Sequence, residues 1–204
     1  MLARSLTYLH NLKRKVEQKL KRLYIPVTNE EEIKSFKVGQ EVLVSGRLFV
    51  ARDAAHKRLI DMFKRGEDIP IDFKNGAIYY MGPCPEKPGE VIGPCGPTTA
   101  GRMDIFTPIV LKLGVKVLIG KGKRSPQVKE AIKSYGAIYL ATFGGAAILI
   151  QSCVKSQKIL MFEDLGPEAI REIEVEDLPC VVAVDSQGED IYEIGPRKYA
   201  RNLK

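Results

Sequence analysis

Apolar residues recur at spacings of three and four through the start of the chain: Leu2, Leu6, Leu9, Leu12, Val16, Leu20 and Leu23. That is one stripe of an α-helix, with Lys and Arg on the remaining faces. The helix is expected to end at Ile25-Pro26, because the residue before a proline is pushed out of the helical region. The pattern then changes period. Val42, Val44, Leu48 and Val50 alternate between Glu41 and Val50, which predicts a strand. Arg52 to Lys64 predicts a helix with Ala54, Ala55, Leu59, Ile60, Met62 and Phe63 on its buried side and Gly66 as its stop. Ala77 to Met81 predicts a short strand. Residues 82–97, rich in proline and glycine, predict a long loop of the kind that binds ligands.

The second half continues in strand–loop–helix units. Thr98 or Thr99 is expected to cap a helix running to about Leu113, followed by a strand at Val115 to Ile119. Ser125 caps the next helix with Pro126 at its first position, and that helix reaches Tyr135. A strand at Ala137 to Thr142, Gly144-Gly145 and a small-residue helix from Ala146 to Cys153 come next. Strands are predicted at Ile159 to Phe162, Ala169 to Val175 and Val181 to Asp185, with a last stretch near Ile191 to Ile194, punctuated by Pro179 and Gly188. The order is mixed α/β. Two units are expected: a basic amphipathic helical arm over 1–27 and a globular domain over 28–204.

Charge sharpens that division. The net charge is +7, and residues 1–24 contribute +6 through Arg4, Lys13, Arg14, Lys15, Lys19, Lys21 and Arg22 against Glu17. The body is therefore nearly neutral, and whole-chain basicity is no argument for nucleic-acid binding. No aromatic side chain interleaves the basic residues at 13–22, so the arm predicts packing on a protein rather than on RNA or lipid. No apolar run is long enough to span a membrane, and residues 1–24 lack the continuous apolar stretch of a secretory signal. A cytoplasmic location is expected. Cys84, Cys95, Cys153 and Cys180 contain no CxxC pair and read as separate thiols, although Cys84 and Cys95 flank one loop. With only His10 and His56 beside them, no metal site within this chain is expected.

Three strand-to-helix junctions share a design. Arg52-Asp53-Ala54-Ala55-His56, Gly96-Pro97-Thr98-Thr99-Ala100-Gly101-Arg102 and Gly120-Lys121-Gly122-Lys123-Arg124-Ser125 each place glycine or a hydroxyl at a helix start with a cation nearby. Helix N-termini favour anions, and in open α/β sheets such loops gather at one end. Together they predict a pocket for a small polyanion such as a dicarboxylate or a phosphate ester. Spacing of four residues predicts that Arg102 shares a helix face with Thr98, and His56 with Arg52.

These segments carry a resemblance. Ser45-Gly46-Arg47, Ala51-Arg52-Asp53-Ala54-Ala55-His56, Ile78-Tyr79-Tyr80-Met81-Gly82-Pro83, Gly96-Pro97-Thr98-Thr99-Ala100-Gly101-Arg102-Met103-Asp104 and Ile119-Gly120-Lys121-Gly122 occur in one order. Over roughly residues 36–185 the chain resembles the β subunit, or C-terminal domain, of class I iron–sulfur fumarate hydratases and the related L(+)-tartrate dehydratases. The resemblance implies a swivelling β/β/α domain with a mixed sheet and flanking helices. It implies a hydro-lyase subunit for the reversible hydration of fumarate to (S)-malate, or the corresponding tartrate reaction, inactive without an α subunit. A [4Fe–4S] cluster is implied on that α subunit, and none on this chain. The implied assembly is a hetero-oligomer, with contacts between β subunits, free of membrane and nucleic acid. By the same resemblance Thr98 is the proton-abstracting base, and Arg52, Arg102 and Lys121 bind the substrate carboxylates. His56, Asp53 and Thr99 complete the candidate set. A reading of another class is a non-catalytic binding module that uses the basic N-terminal helix.

Overall fold

A computed structural model of the protein describes residues 20–200. The mixed α/β order holds. Strand β1 (Lys21–Ile25) is followed by helix α1 (Glu30–Ser35), capped by the Asn29 side chain. Strand β2 (Glu41–Val50) leads into α2 (Asp53–Arg65), which Gly66 ends in a left-handed conformation. Strand β3 (Ala77–Tyr79), α3 (Thr107–Lys112), β4 (Val117–Gly120), α4 (Pro126–Tyr135), β5 (Ile138–Ala141) and α5 (Ala147–Cys153) come next. The chain ends in β6 (Val154–Met161), β7 (Ile170–Val184) and α6 (Ile191–Tyr199).

All seven strands form one sheet in the order β1-β2-β3-β4-β5-β7-β6, with β2 also paired to β7. Strands β1 to β5 run parallel, and β7 runs antiparallel to β2, β5 and β6. The β2–β7 pairing joins the two ends of the run β2-β3-β4-β5-β7, so the sheet closes on itself. Alternation along each strand then divides the core in two. Val42, Val44, Leu48, Val50, Tyr79, Val117, Ile119, Ile138, Leu140, Ile173, Val175 and Val182 pack between the facing halves of the sheet. Ile78, Tyr80, Leu118, Tyr139 and Val184 face outward, against Ala55, Leu59 and Ile60 of α2, Val110 of α3 and Val128 and Ile132 of α4. The central strands are apolar on both faces because both are covered.

Four expectations are corrected. Spacing predicts residues 21–25 as the end of the N-terminal helix, yet they form β1, with Leu23 wholly buried against β2. Leu23 and Ile25 alternate inward, and a two-residue period is masked when it follows a three-and-four pattern. The rest of the predicted helix, residues 1–19, lies outside the described residues. Thr98 or Thr99 does not start a helix that runs to Leu113. A 3₁₀ turn, Ala100–Met103, precedes the short α3, and Thr99 makes no cap hydrogen bond. Pro179 does not end a strand: β7 runs through it in register with Leu43 of β2, just past a bulge near Asp177, whose φ is 52°. Ile191 to Ile194 is helical because the Asp190 side chain caps the Tyr192 amide at 2.9 Å.

The placement of β1 is testable by stability. Leu23→Ala removes a wholly buried side chain and is expected to lower the unfolding free energy by about 3 kcal/mol in urea denaturation. A loss under about 1 kcal/mol would put residues 21–25 outside the packed sheet.

Candidate active site

Because β2, β3 and β4 are parallel, their C-terminal ends lie on one side of the sheet, and each of the three predicted junctions begins there. Arg52 follows β2 and is the N-cap of α2. Thr98 is held by backbone alone. Its amide donates to the Tyr80 carbonyl at 2.7 Å, just beyond β3, and its carbonyl accepts from the Lys121 amide at 3.2 Å, just beyond β4. Thr99 forms a parallel bridge with Lys121, and the Ala100 amide donates to the Lys121 carbonyl at 2.8 Å. The segment 98–100 is therefore a short extension of the sheet. This explains the missing helix start, and it removes the expected shared helix face of Thr98 and Arg102. Gly120 permits the close approach: a Cβ there would stand 3.0 Å from both Tyr80 and Ala100.

The cations surround this extension. The Arg52 side chain crosses Gly82, where a Cβ would come within 2.6 Å of Nη1 and would force the guanidinium to shift. Glu168 lies 3.7 Å from Arg52 Nη2 through one carboxylate oxygen, and through the other accepts the Ala54 amide at 2.8 Å. Lys121 is exposed and extends over Gly144, beyond β5. Arg102 is half exposed and bound in a two-pronged fork by Asp53, with Nε donating to Oδ1 at 2.9 Å and Nη2 to Oδ2. Burial works against the charged Asp53 carboxylate. The hydrogen bond from Arg102 and the backbone at the helix start outweigh it and hold the carboxyl below its usual value. An ion pair this exposed contributes only about 0.5 kcal/mol to folding.

His56 does not reach the site. It is wholly buried between Tyr80 and Phe106, with ring centroids 5.5 and 5.8 Å away. Its Nδ1 lies 2.8 Å from the Arg52 carbonyl. That contact makes Nδ1 the protonated nitrogen of a neutral ring. Burial lowers its pKa to about 4. Thus Arg52, Asp53, Thr98, Thr99, Arg102 and Lys121 are gathered at one end of the sheet, and His56 lies beneath them.

Three further residues matter here. Arg124, with a side chain wholly out of solvent, donates from Nε to Asp104 Oδ1 at 2.7 Å and from Nη2 to Thr107 Oγ1 at 2.6 Å. The other Asp104 oxygen accepts the Ser125 amide at 2.6 Å. The guanidinium carbon lies 5.4 and 5.0 Å from the ring centroids of Tyr80 and Tyr139. This buried pair ties the Thr98 segment to the Lys121 segment. Asp104 and Arg124 stood within the motifs as ordinary charged residues. Glu168 had no local signal, because only the fold brings it to Arg52.

The cysteines do not suit a metal cluster. Among the described residues no three His, Cys, Asp or Glu side chains gather into a metal-holding group. Burial raises the Cys95 thiol to about 11 and pushes Cys153 and Cys180 up as well, against the thiolate a metal requires. Cys84 is exposed, and all four thiols are free. No described helix is long and apolar enough to cross a membrane.

The family model for the fumarase C-terminus matches residues 2–195. The chain belongs to the fumarase C-terminus family. Fumarate hydratase 2 of Leishmania major is 42% identical over 164 residues, which is 79% of this chain and 29% of that protein. The aerobic class I fumarate hydratase of Escherichia coli K12 is 38% identical over 164 residues, 79% of this chain and 30% of that protein. A putative L(+)-tartrate dehydratase subunit beta of Methanocaldococcus jannaschii is 36% identical over 180 residues, 85% of this chain and 92% of that protein. This fumarase C-terminus chain thus spans under a third of those two fumarate hydratases and nearly all of the separate β subunit.

The buried histidine sets a pH dependence. Its folded pKa, about 4, lies below the ordinary 6.5, so between these values the unfolded chain binds the proton and the folded one does not. Stability is expected to fall as pH drops from about 6.5 to about 4. His56→Leu should flatten that part of the urea-midpoint profile, and an unchanged slope would show that His56 is not the group responsible.

Proposed function

We propose that this chain is the β subunit of a two-chain hydro-lyase that reversibly hydrates fumarate to (S)-malate in the cytoplasm. The observation that carries the reading is the meeting of Arg52, Arg102 and Lys121 with Thr98 at the ends of β2, β3 and β4, in a chain of the fumarase C-terminus family. Fumarate and malate are dicarboxylates, and a guanidinium fork binds a carboxylate through two parallel hydrogen bonds. In this reading Arg52 and Arg102 hold the two ends of the substrate, and Lys121 adds a third positive contact.

Thr98 is the residue assigned to remove the C3 proton of malate. A threonine hydroxyl is a weak base. Nearby positive charge favours its alkoxide, and Arg102 and Lys121 provide that charge. The backbone bonds of Thr98 to Tyr80 and Lys121 fix its position relative to the clamps, which is the main requirement for proton transfer.

The iron–sulfur cluster implied by the family resemblance is assigned to the partner chain, because the thiols of this chain do not suit it. When bound, such a group supplies a Lewis acid. The surroundings of the site support a partner that completes it. Ile105, Phe143, Ile148 and Leu149 expose large apolar surfaces on the segments that border it, with Ile105 at 78% and Ile148 at 68%. In this assignment the domain swivels against the α subunit to close on substrate. Tartrate is the second reading, supported by the 36% identity to the putative L(+)-tartrate dehydratase subunit beta of M. jannaschii.

The test is reconstitution with a cognate α subunit and an absorbance assay on fumarate, malate and tartrate. Fumarate hydration is expected, and turnover of tartrate alone would move the assignment to the second reading. Thr98→Ala should lower kcat by about 100-fold, the scale for losing a general base. Near-normal turnover would remove Thr98 from that role. Arg102→Lys should raise KM, since a lysine cannot reproduce the fork, and unchanged kinetics would remove Arg102 from the clamp.

A further inference from the structure

We propose that Asp53 is the positioning residue of the Arg102 clamp: it holds the Nε/Nη2 edge of the guanidinium and leaves the Nη1/Nη2 end for a substrate carboxylate. This rests on the dicarboxylate reading above. A guanidinium is planar and carries five N–H donors, so a carboxylate can approach its side edge or its end in two-pronged fashion. Asp53 takes the side edge, with Nε on Oδ1 and Nη2 on Oδ2. Nη1 and the second Nη2 proton have no protein partner among the described residues.

The direction of control follows from which partner is anchored. Asp53 is the first residue of α2, a helix of 13 residues, where the exposed amides and the helix dipole favour a carboxylate. The next residue, Ala54, is pinned by Glu168 through its amide. Asp53 also lies beside Arg52, whose charge acts on it in addition to that of Arg102. Arg102 is much less constrained. It sits on a four-residue 3₁₀ turn with half of its side chain in solvent. Without a partner it would sample many rotamers and would have to be ordered at the moment of binding. Asp53 imposes that order beforehand.

The opposite role, a built-in competitor that the substrate must displace, predicts the reverse sign. In the assembled enzyme, Asp53→Asn is expected to raise KM for fumarate about tenfold while changing kcat by less than about threefold. Asp53→Glu, which keeps the charge, should recover part of the loss. An unchanged or lower KM overturns the proposal. So does a fall in kcat that tracks a falling melting temperature, which would mark a merely structural residue.

A second measurement needs no turnover. In the chain alone, the Arg102 Nε–H signal is identified in nuclear magnetic resonance spectra by its loss in Arg102→Lys. It should exchange slowly with solvent, remain slow when succinate is added, and become labile in Asp53→Asn. Rapid exchange in the wild-type chain, or its onset on adding succinate, means that Asp53 does not hold the side edge, and the proposal fails. An inactive wild-type assembly would defeat the hydro-lyase reading, while the exchange measurement would still decide the role of Asp53.

Discussion

Strand β2 is hydrogen-bonded on both edges: β7 runs along one side, while β1 and then β3 share the other. A strand in this position leaves no free edge, and its backbone groups are satisfied within the sheet. The pairing with β7 closes the sheet and fixes the spacing of β2, β3 and β4. The site depends on that spacing, since Arg52, the Tyr80 carbonyl that receives Thr98, and Lys121 each follow one of these strands. The long hydrophobic faces of the strands are thus the distant cause of the cation cluster.

Within the site, position and charge come from different sources. Thr98 is placed by main-chain hydrogen bonds that extend the sheet, and these do not depend on side-chain rotamers. The cations are long side chains and need local restraint. Arg52 lies over Gly82 with Glu168 alongside, and Arg102 is forked by Asp53. Two internal carboxylates therefore offset part of the positive charge of Arg52, Arg102 and Lys121. The Lys121 charge is left over, so both hydrogen-bond direction and simple attraction act on an anion at this end of the sheet.

Much of this was readable in the chain, in proportion to how local each signal is. The strand at Glu41–Val50 has a clean two-residue period, and the helix from Asp53 has both a periodic face and a glycine stop. Both were predicted nearly to the residue. The motif from Gly96 to Asp104 stands out in the sequence, but the helix start expected there is absent, because Thr98 obtains its partners from Tyr80 and Lys121 and not from the following turn. Likewise, β1 looked helical because Leu20 and Leu23 continue an upstream spacing, while its partner β2 lies 21 residues further on in register. Glu168 and the ring closure are properties of the fold and leave no mark on neighbouring residues. His56 shows the same limit. It stands one turn from Arg52, but it meets the Arg52 carbonyl rather than its side chain, and the ring is buried against Tyr80 and Phe106.

Arg124 has a consequence for how the site moves. Its buried pair with Asp104 and its stacking on Tyr80 and Tyr139 join the segments that follow β3 and β4 to each other and to β5. Breaking such a pair on one side leaves an uncompensated charge in the interior, at a cost of about 3–5 kcal/mol. Neither segment can loosen separately without that penalty. Thr98 and Lys121 therefore belong to a single cooperative opening unit, exposed together or held in place together.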